Sequence, residues 1–275
     1  MTIKQFLITS PLSARIGFGI VLLNLFAASF APVIAPYTEN EIVGDIWLAS
    51  SYKHFLGTDQ LGRDLFSRIL YGARNTISIA FLITFLSFTM GTIGGFIAAT
   101  LKGWTDQLLV CIVDMIMAFP TLIFALLILS VTGTSIPALV VIIAILDSTK
   151  FFRLSRALGM DIVVMDFVEV ARLRGEGVWW IISHEILPNA APALIAECAI
   201  RFCFVFLFIS ALSFLGLGIQ PPAADWGSMV KENASAITFG IPVPLWPAGS
   251  IAFLTIGVNL IADWFLNINS QIRNV

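Results

Sequence analysis

Long stretches without a charged residue are the feature that most limits how this chain can fold. Residues 16–38 contain no Asp, Glu, Lys or Arg over 23 positions. A hydrocarbon layer of about 30 Å needs about 20 residues at about 1.5 Å per residue, so this stretch can cross a membrane. Only 12% of the chain is charged, 58% is hydrophobic and the mean hydropathy is +0.95. These values predict an integral membrane protein.

Repeated apolar stretches predict an all-α integral membrane protein with six transmembrane helices. The predicted spans are residues 16–38, 75–101, 107–130, 136–156, 190–217 and 246–267. They leave an N-terminal arm at 1–15, polar segments at 39–74 and 218–245, and a strongly polar segment at 166–189. Gly91, Gly94 and Gly95 in the second span predict close packing against another helix.

The distribution of Lys and Arg predicts the orientation, because these residues are retained on the cytoplasmic side. With the N-terminus inside, nine lie in inner segments and five in outer ones. The inner residues are Lys4, Arg15, Lys102, Lys150, Arg153, Arg156, Arg172, Arg174 and Arg273, and the outer ones are Lys53, Arg63, Arg68, Arg74 and Lys231. Both termini and the 166–189 segment are therefore expected in the cytoplasm. A net charge of −2 gives no indication of nucleic-acid binding.

The 166–189 segment, between the fourth and fifth spans, predicts a helix, a turn and a second helix. Gly175 and Gly177 interrupt the helical pattern, and Pro188 is expected to end the second helix. The second helix has more apolar residues than a free loop would keep in water. An amphipathic segment lying on the membrane and a docking site for another protein both fit this pattern.

Charged residues inside the spans are the candidates for a transport pathway, because each is costly there unless it faces protein or water. Glu197 and Arg201 share one helix face and can pair. They fit either a structural ion pair or a solute contact, and Asp114 fits either helix packing or cavity lining. The three cysteines lie in apolar stretches and are predicted to be small core residues.

The outer polar segments predict local helices. Thr58 or Asp59 is expected to cap a short helix through Leu70. Residues 225–238 are expected to form a short amphipathic helix near the outer surface. His54 and His184 are predicted to be surface or capping residues, and the chain shows no set of residues for a metal site or for catalysis.

Three motifs stand out in the chain, at residues 57–68, 169–189 and 214–227. Glu169-Val170-Ala171 is followed by Gly175 and by Leu187-Pro188-Asn189, which resembles the EAA coupling motif of ABC importer permeases. The stretch GTDQLGRDLFSR at 57–68 is similar to the GTDxxGRDxxSR signature of the dipeptide, oligopeptide and nickel permease family. FLGLGIQPP at 214–222, followed by Asp225-Trp226-Gly227, resembles that family's sequence after the fifth span.

The resemblance implies a type I importer fold, with the permease domain at about residues 72–267, and the second (C-type) transmembrane subunit. It implies that a cytoplasmic coupling helix pair between helices 4 and 5 contacts the ATPase through Glu169, Val170, Ala171, Gly175, His184, Leu187, Pro188 and Asn189. It assigns the periplasmic family signature to Gly57, Thr58, Asp59, Gly62, Arg63, Asp64, Ser67 and Arg68. Val170 and the turn at 174–177 depart from the family pattern, which indicates tuning of the ATPase partner.

The resemblance also implies the partners and the location. They are a homologous second permease subunit, two ATPase subunits and a periplasmic or lipid-anchored solute-binding protein, in the bacterial inner membrane. The chain lacks GxxxxGK[ST], so ATP and Mg are expected on the partner subunits and no cofactor is expected here. The transported solute is predicted to be a peptide, with nickel or a metallophore complex as the alternative. An ion-coupled secondary transporter is the alternative of another class.

Overall fold

A computed structural model describes the backbone of residues 11–273 and the side chains of residues 11–265. The start of the predicted N-terminal arm, with Lys4, lies outside the described residues. The described chain is helical and contains no β-strand. Its α-helices are α1 (Leu12–Ser29), α2 (Ala31–Ile34), α3 (Leu65–Leu101), α4 (Gly103–Met117), α5 (Thr121–Thr132), α6 (Ile136–Val163), α7 (Asp166–Leu173), α8 (Val178–Leu215), α9 (Trp226–Glu232) and α10 (Leu245–Arg273).

Four helices of the described part are long and apolar enough to cross a membrane, namely α1, α3, α8 and the Leu245–Phe265 part of α10. The pair α4 and α5 gives a fifth crossing if the two are counted together, although they meet at an angle of 85°. The break falls at Pro120, which cannot continue a helix without losing a hydrogen bond. Helix α6 contains the predicted fourth span, and that span includes the charged residues Asp147, Lys150 and Arg153. Six spans therefore remain a prediction.

Helices α3 and α6 pack closely through the predicted glycines. A Cβ atom built on Gly91 would lie 2.3 Å from the Ser148 carbonyl oxygen, and one on Gly95 would lie 2.6 Å from the Phe152 carbonyl oxygen. Backbone atoms cannot move aside cheaply, so only glycine permits this approach. Ser87 on α3 also donates a hydrogen bond of 3.1 Å to the Ala144 carbonyl on α6. The sequence-based prediction of close packing is confirmed at Gly91 and Gly95.

Replacing Gly91 with alanine is expected to destabilise the protein by about 1–3 kcal/mol, the usual cost of overpacking a close contact. Gly94→Ala is the matched control, because its Cβ would meet only the Phe152 ring at 3.4 Å. Both changes add the same helix propensity, so their difference isolates the packing cost. The measurement is the thermal unfolding midpoint of the protein in detergent, and equal midpoints for the two variants would contradict the close contact.

Helix α1 packs against α10 with its direction reversed. A Cβ on Gly17 would lie 2.7 Å from the Gly257 carbonyl oxygen, and the rings of Phe18 and Trp264 are 5.8 Å apart. The first residues of α1 thus lie beside the later part of α10. The described chain therefore begins and ends toward the same end of the helix bundle.

Two sequence-based expectations about helix ends are wrong. Neither Thr58 nor Asp59 caps a short helix; Asp64 caps α3 by accepting a 2.8 Å hydrogen bond from the Ser67 amide, and α3 continues to Leu101. Pro188 does not end the second helix of the polar segment, since α8 runs on to Leu215. Residues Ile181–Ile186 form a π-helical turn, and this wider turn accommodates the proline ring that follows it.

Candidate functional site

The 166–189 segment is anchored to the helix bundle by one buried face. Val168 and Ala171 of α7 are fully buried, and Ile181 and Ile186 of α8 are almost or fully so. They pack with Phe96 near the end of α3 in a separate hydrophobic cluster. The segment therefore lies at the end of the bundle where α3 finishes, and its buried face packs against α3 and the end of α6.

The opposite face of the same segment exposes apolar side chains. Leu173 is 82% exposed, Trp179 63% and Val170 53%. Exposed charged residues lie in the same segment, including Asp166, Glu169 and Arg172. A group of large apolar side chains exposed among charges is typical of a surface that another protein covers. We call Val170, Leu173 and Trp179 the apolar patch.

The turn between α7 and α8 is held by a specific set of hydrogen bonds. Gly175 has a φ of +85°, which is the left-handed conformation that glycine adopts without strain. Its amide donates to the Arg172 carbonyl at 2.9 Å, and the Glu176 amide donates to the Ala171 carbonyl at 3.2 Å. This is the Schellman arrangement that closes a helix C-terminus. Gly175 therefore fixes the angle between the two helices.

Side-chain contacts that the sequence did not reveal support the turn. The guanidinium of Arg174 lies 5.3 Å from the centre of the Trp180 ring, and it is 3.9 Å from a carboxylate oxygen of Glu185. The His184 ring stacks on Trp180 with centroids 4.8 Å apart. Arg174, Trp180 and His184 thus join the turn to the first residues of α8.

The eight predicted coupling residues do not all lie on the surface. Ala171 is fully buried under α7 and contacts the bundle, so its role in this chain is to support α7. The seven others are exposed, namely Glu169, Val170, Gly175, His184, Leu187, Pro188 and Asn189. Asn189 also donates a 2.6 Å hydrogen bond to the Glu185 carbonyl.

The charged residues predicted inside the spans form ion pairs. Arg201 donates to Glu197 at 2.5 Å within α8, as their spacing predicted. Asp114 accepts from Arg153 at 2.7 Å, so α4 and α6 are joined by an ion pair whose two side chains are more than half exposed. The contact joins two helices, as the helix-packing alternative for Asp114 predicted.

A small cavity among α5, α6 and α8 brings the predicted Arg201 together with two charged residues that the sequence analysis did not select as pathway candidates. Its volume is about 160 Å³, and its wall includes Asp147, Lys150 and Arg201. Asp147 and Lys150 are three positions apart on one helix. Two opposite charges at that spacing inside an apolar stretch were the available signal in the sequence.

The outer segment at 57–68 forms a buried ion network with α9. Asp59 accepts hydrogen bonds from Arg63, at 2.7 Å, and from Arg68. Glu232 of α9 accepts from the same two arginines at 2.8 and 2.9 Å. Arg63 is 5% exposed and Asp59 and Arg68 are fully buried. Glu232 is the member that sequence reasoning missed, because it lies far along the chain.

The remaining signature residues hold the backbone of this segment. Gly57 and Gly62 have φ values of +80° and +75°, and a Cβ on either would strike a backbone oxygen. Thr58 donates to the Asp45 carbonyl at 2.6 Å. Asp64 accepts from Ser67 and contacts His54 at 3.1 Å. In this structure the eight signature residues therefore serve the fold of the outer segment.

The short helix α9 is attached to α3 by a buried aspartate. Asp225 caps α9 by accepting from the Ser228 amide at 2.8 Å and also accepts from the Thr76 hydroxyl at 2.9 Å. Burial raises the pKa of the Asp225 carboxyl, although the hydrogen bonds from Ser228 and Thr76 oppose that rise. The expected short helix in residues 225–238 thus covers residues 226–232 and is followed by a 3₁₀-helix, Ala234–Phe239.

Comparison with known proteins gives one family and several relatives. The family described as "Binding-protein-dependent transport system inner membrane component" matches residues 90–272. The chain is 32% identical to the glutathione transport system permease protein GsiD of Pectobacterium atrosepticum, covering 90% of this chain and 83% of the relative. It is 33% identical to the dipeptide transport system permease protein DppC of Alkalihalophilus pseudofirmus, covering 91% and 83%. It is 34% identical to the di/tripeptide transport system permease protein DppC of Pseudomonas aeruginosa, covering 90% and 84%.

Proposed function

The chain belongs to the family of binding-protein-dependent transport system inner membrane components, and on this premise we propose that it carries peptides across the membrane. It is a permease subunit of an ABC import system, a multi-pass inner-membrane protein whose role is transport and not catalysis. Three relatives are named for glutathione, dipeptides and di- or tripeptides. A short peptide is therefore the solute that these relatives support best.

The apolar patch is the observation that carries the proposed mechanism. The chain has no nucleotide-binding loop of the GxxxxGK[ST] type, so the energy of ATP must reach it through a contact with another protein. The apolar patch is exposed on a segment whose other face is buried against α3. A partner ATPase that contacts this face can transmit its movement to α6 and α8. Glu169 and the turn at Gly175 lie beside the patch.

The assembly that we propose contains a homologous second permease subunit, two ATPase subunits and a periplasmic or lipid-anchored solute-binding protein. ATP and Mg are bound by the ATPase subunits, and this chain forms half of the pathway. We place both termini and the 166–189 segment in the cytoplasm, because Lys and Arg favour that side. Residues 57–68 then lie outside.

Reconstitution tests the proposal. We expect proteoliposomes with all the subunits to accumulate the dipeptide dialanine only when ATP and the binding protein are supplied. Nickel uptake in place of dialanine uptake would favour the alternative that the same ABC importer carries nickel or a metallophore complex. Uptake driven by an ion gradient without ATP would contradict the proposal and favour a secondary transporter.

A further inference from the structure

The cavity among α5, α6 and α8 lies deep in the bundle. Ser87 donates to the Ala144 carbonyl, and Ser87 is near the middle of the apolar residues 75–101 of α3. Asp147 follows Ala144 on α6 by about one turn, so it lies at nearly the same depth. Charged side chains at this depth are costly unless they face protein or water and serve a function.

Two charges in the cavity have no oppositely charged partner among the described residues. Arg201 is neutralised by Glu197 at 2.5 Å. Among the described residues, Asp147 makes no ion pair or hydrogen bond, and its Oδ2 atom is buried without a partner. Within the same part of the chain, the Lys150 ammonium makes only a 3.5 Å hydrogen bond to Thr149 Oγ1. One anion and one cation therefore line the same cavity unpaired, about one helical turn apart.

The charged cavity lies on one side of α8, and a second cavity on another side of this helix has no charged residue in the described part of its wall. Arg201, Phe204 and Phe208 of α8 line the charged cavity. Ile195 and Phe202, on another side of α8, line a cavity of about 700 Å³ whose wall is almost entirely apolar. The unpaired charges are thus a local feature of the cavity and not a general property of the spans.

We propose that Asp147 and Lys150 bind the two charged ends of a short peptide, with Asp147 contacting the ammonium group and Lys150 the carboxylate. This inference rests on the proposed peptide transport. The two residues are about 4.5 Å apart along the helix axis, and the long Lys150 side chain extends that reach. The ends of an extended dipeptide are about 7 Å apart. A cavity of about 160 Å³ holds several times the about 30 Å³ share of one water molecule.

The binding of peptide ends would also explain why the two charges remain apart in this structure. A peptide is zwitterionic, so it neutralises both residues at once when it enters. Charge-assisted hydrogen bonds to each end are stronger than neutral ones. The Arg201–Glu197 pair, already satisfied, bounds the site without competing for the solute.

The test uses the complete transporter in proteoliposomes with dialanine, N-acetyl-dialanine and dialanine amide as probes. We expect Asp147→Asn to reduce dialanine and dialanine amide uptake about tenfold and to leave N-acetyl-dialanine uptake unchanged, because that probe has no ammonium group. Lys150→Gln is expected to show the reverse pattern, reducing uptake of the two probes that keep a carboxylate. Asp161→Asn, at an exposed position of the same helix, is the control.

Equal loss for all three probes would overturn the inference, since it would show that Asp147 and Lys150 only maintain the structure. If the wild-type transporter carries no peptide at all, the proposed function fails instead, and that outcome is distinct. Asp147→Glu keeps the charge and should recover part of the dialanine uptake.

A second measurement does not depend on what the binding protein accepts or on the stability of an Asp147 variant. Thr121 lines the same cavity, and Thr121→Cys in a chain whose three cysteines are replaced by alanine can be labelled with a thiol reagent. Dialanine is expected to slow labelling, and N-acetyl-dialanine amide, which has no charged end, is not. Equal protection by both peptides, or by neither, would contradict the inference.

Discussion

Substituting Gly175 with valine is expected to abolish most ATP-driven uptake while the complex remains in the membrane. The φ of +85° at Gly175 is a conformation that a β-branched residue rarely adopts. Holding a residue in a sparsely populated backbone region costs about 1–3 kcal/mol. Since each 1.4 kcal/mol is about a tenfold change in an equilibrium, the Schellman turn would be populated about tenfold to a hundredfold less.

The effect at Gly175 should be confined to the turn. No atom lies within 4 Å of a Cβ built at this position, so valine meets no clash and the cost arises from the backbone alone. Gly177→Val is the matched control, because it is equally open and has a φ of −76° that valine adopts. Gly175→Asn should retain more activity than Gly175→Val, since asparagine tolerates the left-handed conformation.

Uptake and ATP hydrolysis should be measured on the same proteoliposomes. We expect hydrolysis to continue in Gly175→Val while dialanine uptake falls, which is the result of a contact that no longer transmits movement. Wild-type uptake in this variant would contradict the role of the turn in coupling. A loss of assembled complex would instead show that the turn is needed for folding.

The helical fold of this chain follows from local sequence, and so does part of its packing. Charge-free stretches predicted long helices, and glycines in the second span predicted close packing against another helix, which occurs at Ser148 and Phe152. The Glu197–Arg201 pair followed from a spacing of four. These features depend on residues that are neighbours on one helix, so periodicity is sufficient to find them.

The features that depend on distant residues could not be found in that way. Glu232 meets Arg68 across 164 positions of sequence, and Asp114 meets Arg153 across 39. Only the packing of whole helices brings such residues together. The cavity at Asp147 needs three helices for its walls, so no single stretch reveals it.

The errors at helix ends have a similar physical cause. Asp64, and not Thr58 or Asp59, caps α3 because Thr58 is held by the Asp45 carbonyl and Asp59 by two arginines. Each of the three residues can act as a cap, and tertiary contacts decide which one does. Pro188 is tolerated because the π-helical turn before it has already changed the hydrogen-bond pattern: the Leu187 amide donates to the Ile182 carbonyl.

Substituting Arg68 with methionine is expected to destabilise the protein by about 3–5 kcal/mol, the usual cost of removing one partner from a buried ion pair. Arg68 is fully buried and donates to both Asp59 and Glu232. Methionine fills a similar volume but leaves two carboxylates to share the single cation of Arg63. The expected loss of stability is larger than that of a packing defect. A buried carboxylate without its cation must either stay away from water or reach water when the contact between residues 57–68 and α9 opens.

The measurement for Arg68→Met is the yield and the thermal unfolding midpoint of the purified protein in detergent. Arg74→Met is the control, because Arg74 lies on the same helix and is exposed. Adding Asp59→Asn to Arg68→Met should recover part of the lost stability, since it removes one of the unpaired charges. If the midpoint of Arg68→Met equals that of Arg74→Met, the network contributes nothing to stability, and the conformation of residues 57–68 must depend on its glycine turns and the Asp64 cap alone.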